Sequence, residues 1–305
     1  MSLKIEDQYF SEISSTVSRA LDEDVGSGDI TTDALGDKKN KKLNSTVIAK
    51  QEGVLCGSQW FDEVYKQIDK IIEIKWYKND GDSFSNQDII CEAFGPIGSL
   101  LTGERTALNF IQLLSGVSTK TKNYINACKD SNVKILDSRK TIPGLRMAEK
   151  YAVHCGGGTN HRLGLFDNYL IKENHINAAG NIEKIIDSAG KQAYGEVGEN
   201  RFSTWNNEQR GGHCIIVEVE NIEQLKIVLK KEVDRVLLDN FSKEEIIKAV
   251  KLRDAYKNKY IYLEASGGIT IKNIYSISST GIDYISVGSL TKDIEAIDFT
   301  MLINS

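Results

Sequence analysis

Apolar positions near the start of the chain recur at helical spacing. Phe10, Ile13, Val17 and Leu21 fall on one helical stripe, and Gly26 lies just beyond it. This spacing predicts an amphipathic helix that ends before the glycine. One face of the segment is therefore expected to be buried.

Shorter apolar runs follow in residues 44–93. They alternate with turn signals, such as the Asn-Asp-Gly-Asp string at 79–82. These runs predict strands around one helix at 60–68, and hence a small α+β domain. A helical pattern follows at 102–127, where Gly116 is expected to weaken the helix midway.

Beyond residue 131 the pattern changes to strand, loop and helix in repeated succession. Helical stretches separate most of the apolar runs, which are VKILDS, NYLIKE, CIIVEVE, RVLLDN, YIYLEAS and YISVGS. Strands that alternate with helices in this way predict a parallel sheet joined by right-handed crossovers. The sequence therefore predicts an α/β fold.

Nearly every one of these runs ends in a side chain that can take part in chemistry. At or near the ends lie Asp137, Lys172, Glu218, Asp239, Glu264 and Ser286. A β/α barrel builds its active site from the carboxyl ends of all its strands, whereas a doubly wound sheet gathers ligand residues at one switch point. A barrel is therefore the favoured closure.

Glycine-rich turns follow the last two runs. Ser266, Gly267 and Gly268 come after YIYLEA, and Gly288 comes after YISV. In β/α barrels the loops after the final two strands commonly hold a phosphate through backbone N–H groups. Either glycine set alone is compatible with an ordinary turn, but the pair predicts a monophosphate site.

Two acidic strand ends, Glu218 and Asp239, belong to successive strands. In a barrel they would share one mouth, where paired carboxylates hold a divalent metal or a ribose diol. A structural ion pair with a nearby lysine or arginine is the alternative interpretation. Glu220 shares the pleat face of Glu218, so the pattern alone leaves the choice between them open.

Basic residues are concentrated in one segment of an acidic chain. The net charge is −5, which argues against nucleic acid as a partner and means that an anionic ligand needs a local basic cluster. The segment 137–175 provides one, with Arg139, Lys140, Arg146, Lys150, Arg162, Lys172, His154, His161 and His175. Of these, Arg146 and Lys150 lie four residues apart and are more simply interpreted as a solvated helix face.

The three sets of residues together match one ligand. Basic side chains suit pyrophosphate, the acidic pair suits a metal and a diol, and the glycines suit a terminal phosphate, all of which phosphoribosyl pyrophosphate presents. Guanidinium groups pair bidentately with carboxylates, whereas lysine meets them as a point charge. The surplus of arginines therefore predicts a planar dicarboxylate as the second substrate.

Composition restricts the class of protein and its compartment. The 305 residues are 40% hydrophobic and 27% charged, as expected for a globular protein that is either one large α/β domain or one such domain with a smaller companion. There is no apolar run of about 18 residues and no signal-peptide pattern, so we expect a cytoplasmic protein without membrane contact. The cysteines lack a C-x-x-C pair, which favours buried thiols over zinc or redox sites; they are Cys56, Cys91, Cys128, Cys155 and Cys214.

Longer strings resemble, in order, the signatures of the nicotinate-nucleotide pyrophosphorylase (carboxylating) or quinolinate phosphoribosyltransferase family. They are EDVGSGDITT, GERTALNFIQLLSG, DSRKTIPGLRMAEKYAVHCGGGTNHRLGLFDNYLIKENH, VEVEN, LLDN, EASGGI and DYISVGSLT. The resemblance implies an open-faced α/β sandwich at 1–115, joined by 292–305, and an incomplete seven-stranded β/α barrel at 116–291. It also implies an obligate homodimer.

The activity implied by the resemblance is phosphoribosyl transfer from phosphoribosyl pyrophosphate to quinolinate with decarboxylation. The products would be nicotinate mononucleotide, CO2 and pyrophosphate, in NAD biosynthesis. The pyridine nitrogen would displace pyrophosphate at the anomeric carbon, and its positive charge would then stabilise the carbanion left by the 2-carboxylate. Positioning and electrostatics would dominate the catalysis, and no cysteine nucleophile is needed.

Matching motif positions imply individual roles. Arg105 would be donated to the neighbouring subunit's site. The quinolinate pocket would comprise Arg139, Lys140, His161, Arg162 and Lys172. Glu218 and Asp239 would hold the ribose hydroxyls and Mg²⁺, which favours Glu218 over Glu220. The 5′-phosphate would be bound by Ser266, Gly267, Gly268 and Gly288, and the catalytic residues would be Lys140, Lys172, Glu218 and Asp239.

The chain departs from the family pattern at a few places. Ser138 stands where threonine is usual, and Lys292 stands where histidine is common, which leaves a phosphate-binding role for Lys292 open. Residues 195–212 are longer and more polar than the usual link, and we expect a surface loop there.

Two other functions are compatible with parts of this pattern. One is that of the molybdenum-transport-associated paralogue of the family, against which the run GLFDNYLIKENH with Lys172 argues. The other is a catalytically silent barrel that senses a ligand or binds a partner. Retention of the basic and acidic strand ends argues against the silent barrel.

Overall fold

The structure is a computed structural model that describes residues 9–128, 130–194, 213–256 and 261–304. The chain divides into two compact units. Unit 1 comprises Met1–Asn123, Lys140–Gly158 and Ser289–Ser305, and unit 2 comprises Tyr124–Arg139 and Thr159–Gly288. The polar segment at 195–212, for which a surface loop is expected, lies outside the described residues.

Helices and strands alternate along most of the described chain. Helices α1 to α11 are Ile13–Asp24, Ile30–Asp33, Ser58–Ile68, Ile97–Ala127, Arg146–Cys155, Glu173–Ala179, Ile182–Tyr194, Ile222–Val228, Lys243–Ala255, Ile274–Ser278 and Ser289–Lys292, with a 3-10 helix at Gly36–Asn40. Strands β1 to β12 are Lys42–Ala49, Gly53–Val54, Glu73–Trp76, Ser83–Phe84, Ile89–Pro96, Lys134–Leu136, Tyr169–Ile171, Ile215–Val219, Arg235–Asp239, Tyr262–Ser266, Tyr284–Ser286 and Phe299–Asn304. The six apolar runs predicted as strands are β6 to β11.

Unit 1 contains a four-stranded antiparallel sheet in the order β12-β1-β5-β3. Val47 on β1 pairs with Met301 on β12 and with Cys91 on β5, so the C-terminal strand completes this sheet. Helix α3 buries Trp60 and Tyr65 among others, which confirms the predicted helix at 60–68. The Tyr65 hydroxyl keeps a partner in the core because it donates to the Leu100 carbonyl at 3.2 Å.

Helix α4 runs through Gly116 without a break. A Cβ at Gly116 would lie 2.3 Å from the carbonyl oxygen of Glu295, so the glycine allows a close approach of backbone to helix. The expected weakening at this position is therefore wrong, because the packing offsets the low helix propensity. Among the described residues, no helix combines the length and apolar composition needed to cross a membrane.

Helix α5 differs from the predicted solvated face. Lys150 and its neighbour Glu149 are completely buried, whereas Arg146 is half-buried. The Glu149 carboxylate accepts from the backbone N–H of Ile142 at 3.2 and 3.3 Å. Spacing of four residues identified a shared helix face, but the prediction that Lys150 lies in solvent is wrong.

Unit 2 contains a six-stranded sheet in the order β6-β11-β10-β9-β8-β7, and every described pair in it is parallel. The predicted α/β class with a parallel sheet and helices is confirmed. Thr159 adds an isolated parallel bridge to Leu136, beyond β6. The parallel ladder places the carboxyl ends of these strands at one edge of the sheet.

Candidate active site

The strand register determines which side chains share a face of the unit 2 sheet. Glu218 on β8 is level with Leu237 on β9, which is level with Glu264 on β10. Asp239 is level with Ser266. Residues two apart on a strand share a face, so Glu218, Asp239 and Glu264 lie on the same face, with Asp239 roughly 7 Å further along the strand direction.

Lys172 and Glu218 are brought into direct contact. The Lys172 ammonium forms an ion pair and hydrogen bond with the Glu218 carboxylate, and both side chains keep some exposure. Lys172 is the N-cap residue of α6, and its backbone N–H donates to Nδ1 of His175 at 3.0 Å. Glu220 is exposed, which supports Glu218 as the acid that faces the basic strand end.

Asn240 is a residue that the sequence prediction missed. It directly follows Asp239, and its Nδ2 donates to the Asp239 carboxylate at 2.9 Å. Its backbone N–H donates to the Ser266 carbonyl at 2.9 Å, with φ at 56°, a conformation uncommon for residues other than glycine. Asparagine tolerates this conformation, so the Asp-Asn string after a strand was the available signal.

The glycine turn after β10 contains two successive residues with positive φ. Gly267 has φ at 89° and Gly268 has φ at 60°, and a Cβ on Gly267 would lie 2.0 Å from Oδ1 of Asn240. Nδ2 of Asn273 donates to the Gly268 carbonyl at 2.9 Å and fixes the far side of the turn. Backbone N–H groups in such turns can converge on a phosphate. Gly288, the other predicted phosphate residue, is half-buried just after β11.

Arg139 and Arg162 lie close enough to repel each other. Burial lowers the pKa of Arg162, and the charge of Arg139 lowers it further. Nη1 of Arg162 donates to the Asn168 carbonyl at 3.1 Å, and the residue also lines a cavity of about 250 Å³ with His175. Two neighbouring guanidinium groups make a site that an anion stabilises.

His161 belongs to a buried charged cluster. Oε2 of Glu264 lies 3.3 Å from Nε2 of His161 and 2.9 Å from Nη1 of Arg235. Burial alone would raise the pKa of Glu264, but the charges of His161 and Arg235 outweigh it and lower the pKa to about 2. The sequence identified Glu264 only as a strand end, and Arg235 gave no signal because it stands at the start of an apolar run.

Arg105 and Lys140 belong to unit 1. Arg105 is exposed on α4, and its neighbours Thr102 and Thr106 donate to Asp29 at 3.1 Å and Asp24 at 3.2 Å. These bonds join the EDVGSGDITT string to the helix that carries Arg105. Lys140 is also exposed, and its carbonyl accepts from the Thr291 hydroxyl at 2.8 Å.

The cysteines include one group that the spacing concealed. In unit 1 the ligand atoms of Cys56, Asp80 and Cys155 lie within 4.8 Å of one another. Burial raises the pKa of the Cys56 thiol well above its usual range, and its interactions with Cys155 and Asp80 raise it further. Cys56 therefore stays a neutral packing group at neutral pH, as expected for a buried thiol.

Comparison with known proteins places the whole arrangement in one class of enzyme. A family model described as the C-terminal domain of quinolinate phosphoribosyl transferase matches residues 117–302, and its N-terminal counterpart matches residues 29–115. Fold and strand-end chemistry thus define a phosphoribosyltransferase. The chain belongs to the quinolinate phosphoribosyltransferase family.

Relatives and solved structures agree with this assignment. The chain is 37% identical over 281 residues to the "Probable nicotinate-nucleotide pyrophosphorylase (carboxylating)" of Bacillus subtilis, covering 92% of this chain and 89% of that protein. The structure of the nicotinate-nucleotide pyrophosphorylase from Francisella tularensis has a TM-score of 0.86 and 39% identity, covering 99% of this chain and 98% of that one. A structure from Streptococcus pyogenes has a TM-score of 0.84 and 36% identity, covering 96% and 97%.

Proposed function

We propose that the protein transfers the phosphoribosyl group of phosphoribosyl pyrophosphate to quinolinate with decarboxylation, giving nicotinate mononucleotide in de novo NAD biosynthesis. The observation that carries the proposal is the shared sheet face. It holds a lysine and carboxylate in contact, Lys172 and Glu218, and a second carboxylate, Asp239, level with the turn that begins at Ser266. Two carboxylates, a glycine turn and a basic strand end therefore lie on one face, which supports the proposed binding of the sugar, its phosphate and the dicarboxylate.

The basic residues are proposed to bind the dicarboxylate. Arg139 and Arg162 repel each other in the free protein, and a quinolinate carboxylate placed between them would relieve that repulsion. His161 and Lys172 extend the set. Lys140 is also proposed as a catalytic and substrate-binding residue, because it follows Arg139 in the matching motif.

Glu218 and Asp239 are proposed to hold the ribose hydroxyls and Mg²⁺. Their fit to Mg²⁺ rests on hard carboxylate oxygens carried by one sheet face, since Mg²⁺ usually takes one or two protein carboxylates and completes its shell with water and substrate phosphate. When bound, the ion would neutralise charge on the departing pyrophosphate. Asn240 would hold the Asp239 carboxylate in place through its 2.9 Å hydrogen bond.

The 5′-phosphate is proposed to bind the turn formed by Ser266, Gly267 and Gly268, with Gly288 nearby in the family pattern. Both turn glycines have positive φ, which supports the proposal because glycine turns of this kind can direct backbone N–H groups towards an anion. With the sugar held at its phosphate and its hydroxyls, the anomeric carbon is presented to the pyridine nitrogen. Restricting the two reactants in this way is the main catalytic contribution of the chain.

Bond changes follow from this placement. The pyridine nitrogen forms a bond to the anomeric carbon as the bond to pyrophosphate breaks, through a transition state with oxocarbenium character. Lys172 and the arginines stabilise negative charge on the substrates. The alkylated nitrogen is cationic and accepts the electron pair released when the 2-carboxylate leaves as CO2, after which the ring carbon takes a proton.

The fold of each unit is also proposed to follow the family. We propose that the unit 2 sheet closes as an incomplete seven-stranded barrel, and the parallel bridge of Thr159 to Leu136 supports a seventh strand position beside β6. We include an open-faced sandwich in unit 1, supported by alternating burial along β5. A cytoplasmic location stays a prediction.

The homodimer in which Arg105 serves the neighbouring site is also proposed. Support comes from the exposure of Arg105 and from exposed apolar side chains such as Ile30, 85% exposed in unit 1. Mixing Arg105→Ala subunits with Lys172→Ala subunits should restore activity, because one site of each heterodimer keeps both side chains. If the mixture stays as inactive as its parents, the shared site is wrong.

The activity is tested by incubating the purified chain with quinolinate, phosphoribosyl pyrophosphate and Mg²⁺ and detecting nicotinate mononucleotide by chromatography. Asp239→Asn should abolish product formation, whereas Glu220→Gln, which changes an exposed acid just after β8, should leave it intact. Absence of product from the unmodified chain would favour the paralogue or the silent barrel. Omission of Mg²⁺ tests the metal separately.

A further inference from the structure

The buried carboxylate of Glu264 holds two partners through one oxygen. Oε2 lies 3.3 Å from Nε2 of His161 and 2.9 Å from Nη1 of Arg235, and the Glu264 and Arg235 side chains are 0% and 3% exposed. The guanidinium of Arg235 also stands over the ring of Tyr284, at 5.0 Å from its centroid. The buried guanidinium of Arg235 therefore holds the Glu264 carboxylate, and the same carboxylate also contacts His161.

His161 is held at two separate points. Its backbone N–H donates to Oδ1 of the buried Asp137 at 2.7 Å, and its ring meets Glu264 through Nε2. Asp137 directly follows β6, whereas Glu264 lies in β10, so two different strands set the position of one histidine. The first contact fixes the backbone of His161, and the second sets the orientation of its ring.

The charge state of Glu264 decides which ring nitrogen carries a proton. Burial raises the pKa of this carboxyl, but His161 and Arg235 outweigh burial and bring it to about 2, so the group is an anion at neutral pH. An ionised carboxylate only accepts hydrogen bonds, so the 3.3 Å contact favours a proton on Nε2 of His161. Nδ1 is left as the ring nitrogen for a second partner.

We propose that Glu264 is a positioning residue for substrate binding: it orients the His161 ring through Nε2, so that Nδ1–H is donated to a carboxylate of the bound dicarboxylate. The inference rests on the proposed function, since it assigns the partner of His161 in that same pocket. In the complex His161 is an imidazolium between two carboxylates, one from the protein and one from the substrate. Binding then takes up a proton whenever the free ring is neutral.

Other charged groups lie around His161 and Glu264. Asp137 meets the backbone of His161, Arg235 neutralises Glu264, and Arg162 follows His161 in the chain with Arg139 beside it. An incoming dianion offsets these positive charges. Proton uptake by His161 is therefore expected on binding of the dicarboxylate and not on binding of the sugar phosphate.

The variants for the test are chosen so that the core survives. Glu264→Gln alone leaves Arg235 buried without its counter-charge, which is a strongly destabilising change. Replacing both members of a buried ion pair by uncharged groups of similar volume is tolerated far better. The double variant R235M/E264Q is therefore compared with the unmodified protein, and urea denaturation shows whether its core survives.

Calorimetry in buffers of different ionisation enthalpy counts the protons taken up when quinolinate binds at mildly alkaline pH. We expect proton uptake in the unmodified protein and its loss in R235M/E264Q, together with an about tenfold weaker affinity for quinolinate, as for loss of a charge-assisted hydrogen bond. The affinity for phosphoribosyl pyrophosphate should be the same in both proteins. Equal proton uptake and equal quinolinate affinity in the two proteins would overturn the inference.

A second measurement does not depend on substrate. The chain has only four histidines, so ring ¹⁵N signals can be resolved and His161→Asn assigns the signal of interest. In the ligand-free protein at alkaline pH, Nε2 should carry the proton in the unmodified protein, and both tautomers should be populated in R235M/E264Q. An Nδ1–H tautomer in the unmodified protein overturns the inference whatever the substrate is. Failure of the unmodified protein to bind quinolinate, with Nε2–H intact, overturns the proposed substrate instead.

Discussion

Glu218 and Glu264 make an instructive pair, because they stand level on one face of the same parallel sheet, two strands apart. Glu218 is 15% exposed and meets the mobile ammonium of Lys172, itself 44% exposed. Glu264 is fully buried and meets the guanidinium of Arg235 and the ring of His161. Two glutamates at the same level of the sheet therefore differ: Glu218 forms a partly solvated ion pair, and Glu264 forms a buried one.

The difference lies in solvation. An exposed ion pair has little net stability, so Lys172 and Glu218 can separate when a substrate offers better partners. A buried pair is costly to break, because the group left behind has neither partner nor water. Each prediction below tests one side of this contrast, beginning with the largest effect.

Removing the buried acid should have the largest effect. Glu264→Ala leaves Arg235 buried without its counter-charge, so the free energy of unfolding should fall by about 3 to 5 kcal/mol. Urea denaturation followed by circular dichroism measures this change. A loss below about 1 kcal/mol would mean that the Arg235 charge is solvated and that the contrast with Glu218 is wrong.

The same group should control stability in acid. Its pKa is lowered from 4.5 to about 2 on folding, so its stabilising contribution is complete above about pH 4.5 and is lost as the pH falls towards 2. The free energy of unfolding of the unmodified protein should therefore fall relative to that of R235M/E264Q over that interval. Parallel curves, measured by urea titration at several pH values, would contradict an ionised Glu264.

Arg162→Ala should weaken quinolinate binding by about 2 to 5 kcal/mol, because a substrate carboxylate would be left unpaired in the pocket. Calorimetry measures the affinity directly. Affinity for phosphoribosyl pyrophosphate is the internal control and should change little. Near-normal binding of quinolinate would remove Arg162 from the pocket and assign it to the neighbouring cavity that it lines.

Gly267→Ala should impair the phosphate turn. The position has φ at 89°, and a Cβ would lie 2.0 Å from Asn240, so the strain should be about 1 to 3 kcal/mol and should raise the KM for phosphoribosyl pyrophosphate. Gly268→Ala is the matched control, since its Cβ would meet nothing within 4 Å, although φ at 60° adds some strain. Equal effects of the two changes would show that close packing against Asn240 is unimportant.

The smallest effect on stability is expected at the exposed pair. Lys172→Ala should change the free energy of unfolding by less than about 1 kcal/mol, because the ion pair is partly solvated. Product formation should nevertheless be lost, since the side chain is proposed to meet substrate. A large loss of stability, measured by urea denaturation, would place Lys172 with the structural residues and not with the catalytic ones.

Much of this organisation could be predicted from the order of residues. Apolar runs bounded by turns predicted β6 to β11, and the strand ends gave Lys172, Glu218 and Asp239, because both signals are local. Burial and partners of long side chains were not predictable in the same way. The spacing predicted a solvated Lys150, and nothing in the sequence singled out Arg235. Both side chains are buried by segments that are distant in the chain.

Backbone conformation marked a second limit. The sequence alone predicts that Gly116 weakens its helix, whereas the structure shows that the backbone of Glu295 packs against it. The sequence alone predicts an ordinary loop residue at Asn240, whereas the structure shows a φ of 56° and a hydrogen bond to Asp239. In both cases a residue from elsewhere in the chain determines the meaning of the position. The family resemblance supplied roles for matching residues but gave no role to Asn240, Arg235 or Glu264.

Pairing of β1 with β12 has a consequence for biosynthesis. The sheet that starts near residue 42 is completed only by Phe299–Asn304, as the pairing of Val47 with Met301 shows. During translation, β1 must wait with one edge unpaired until those last residues leave the ribosome. An edge exposed for that long invites pairing with other nascent chains, so slow synthesis or C-terminal truncation should promote aggregation before it affects catalysis.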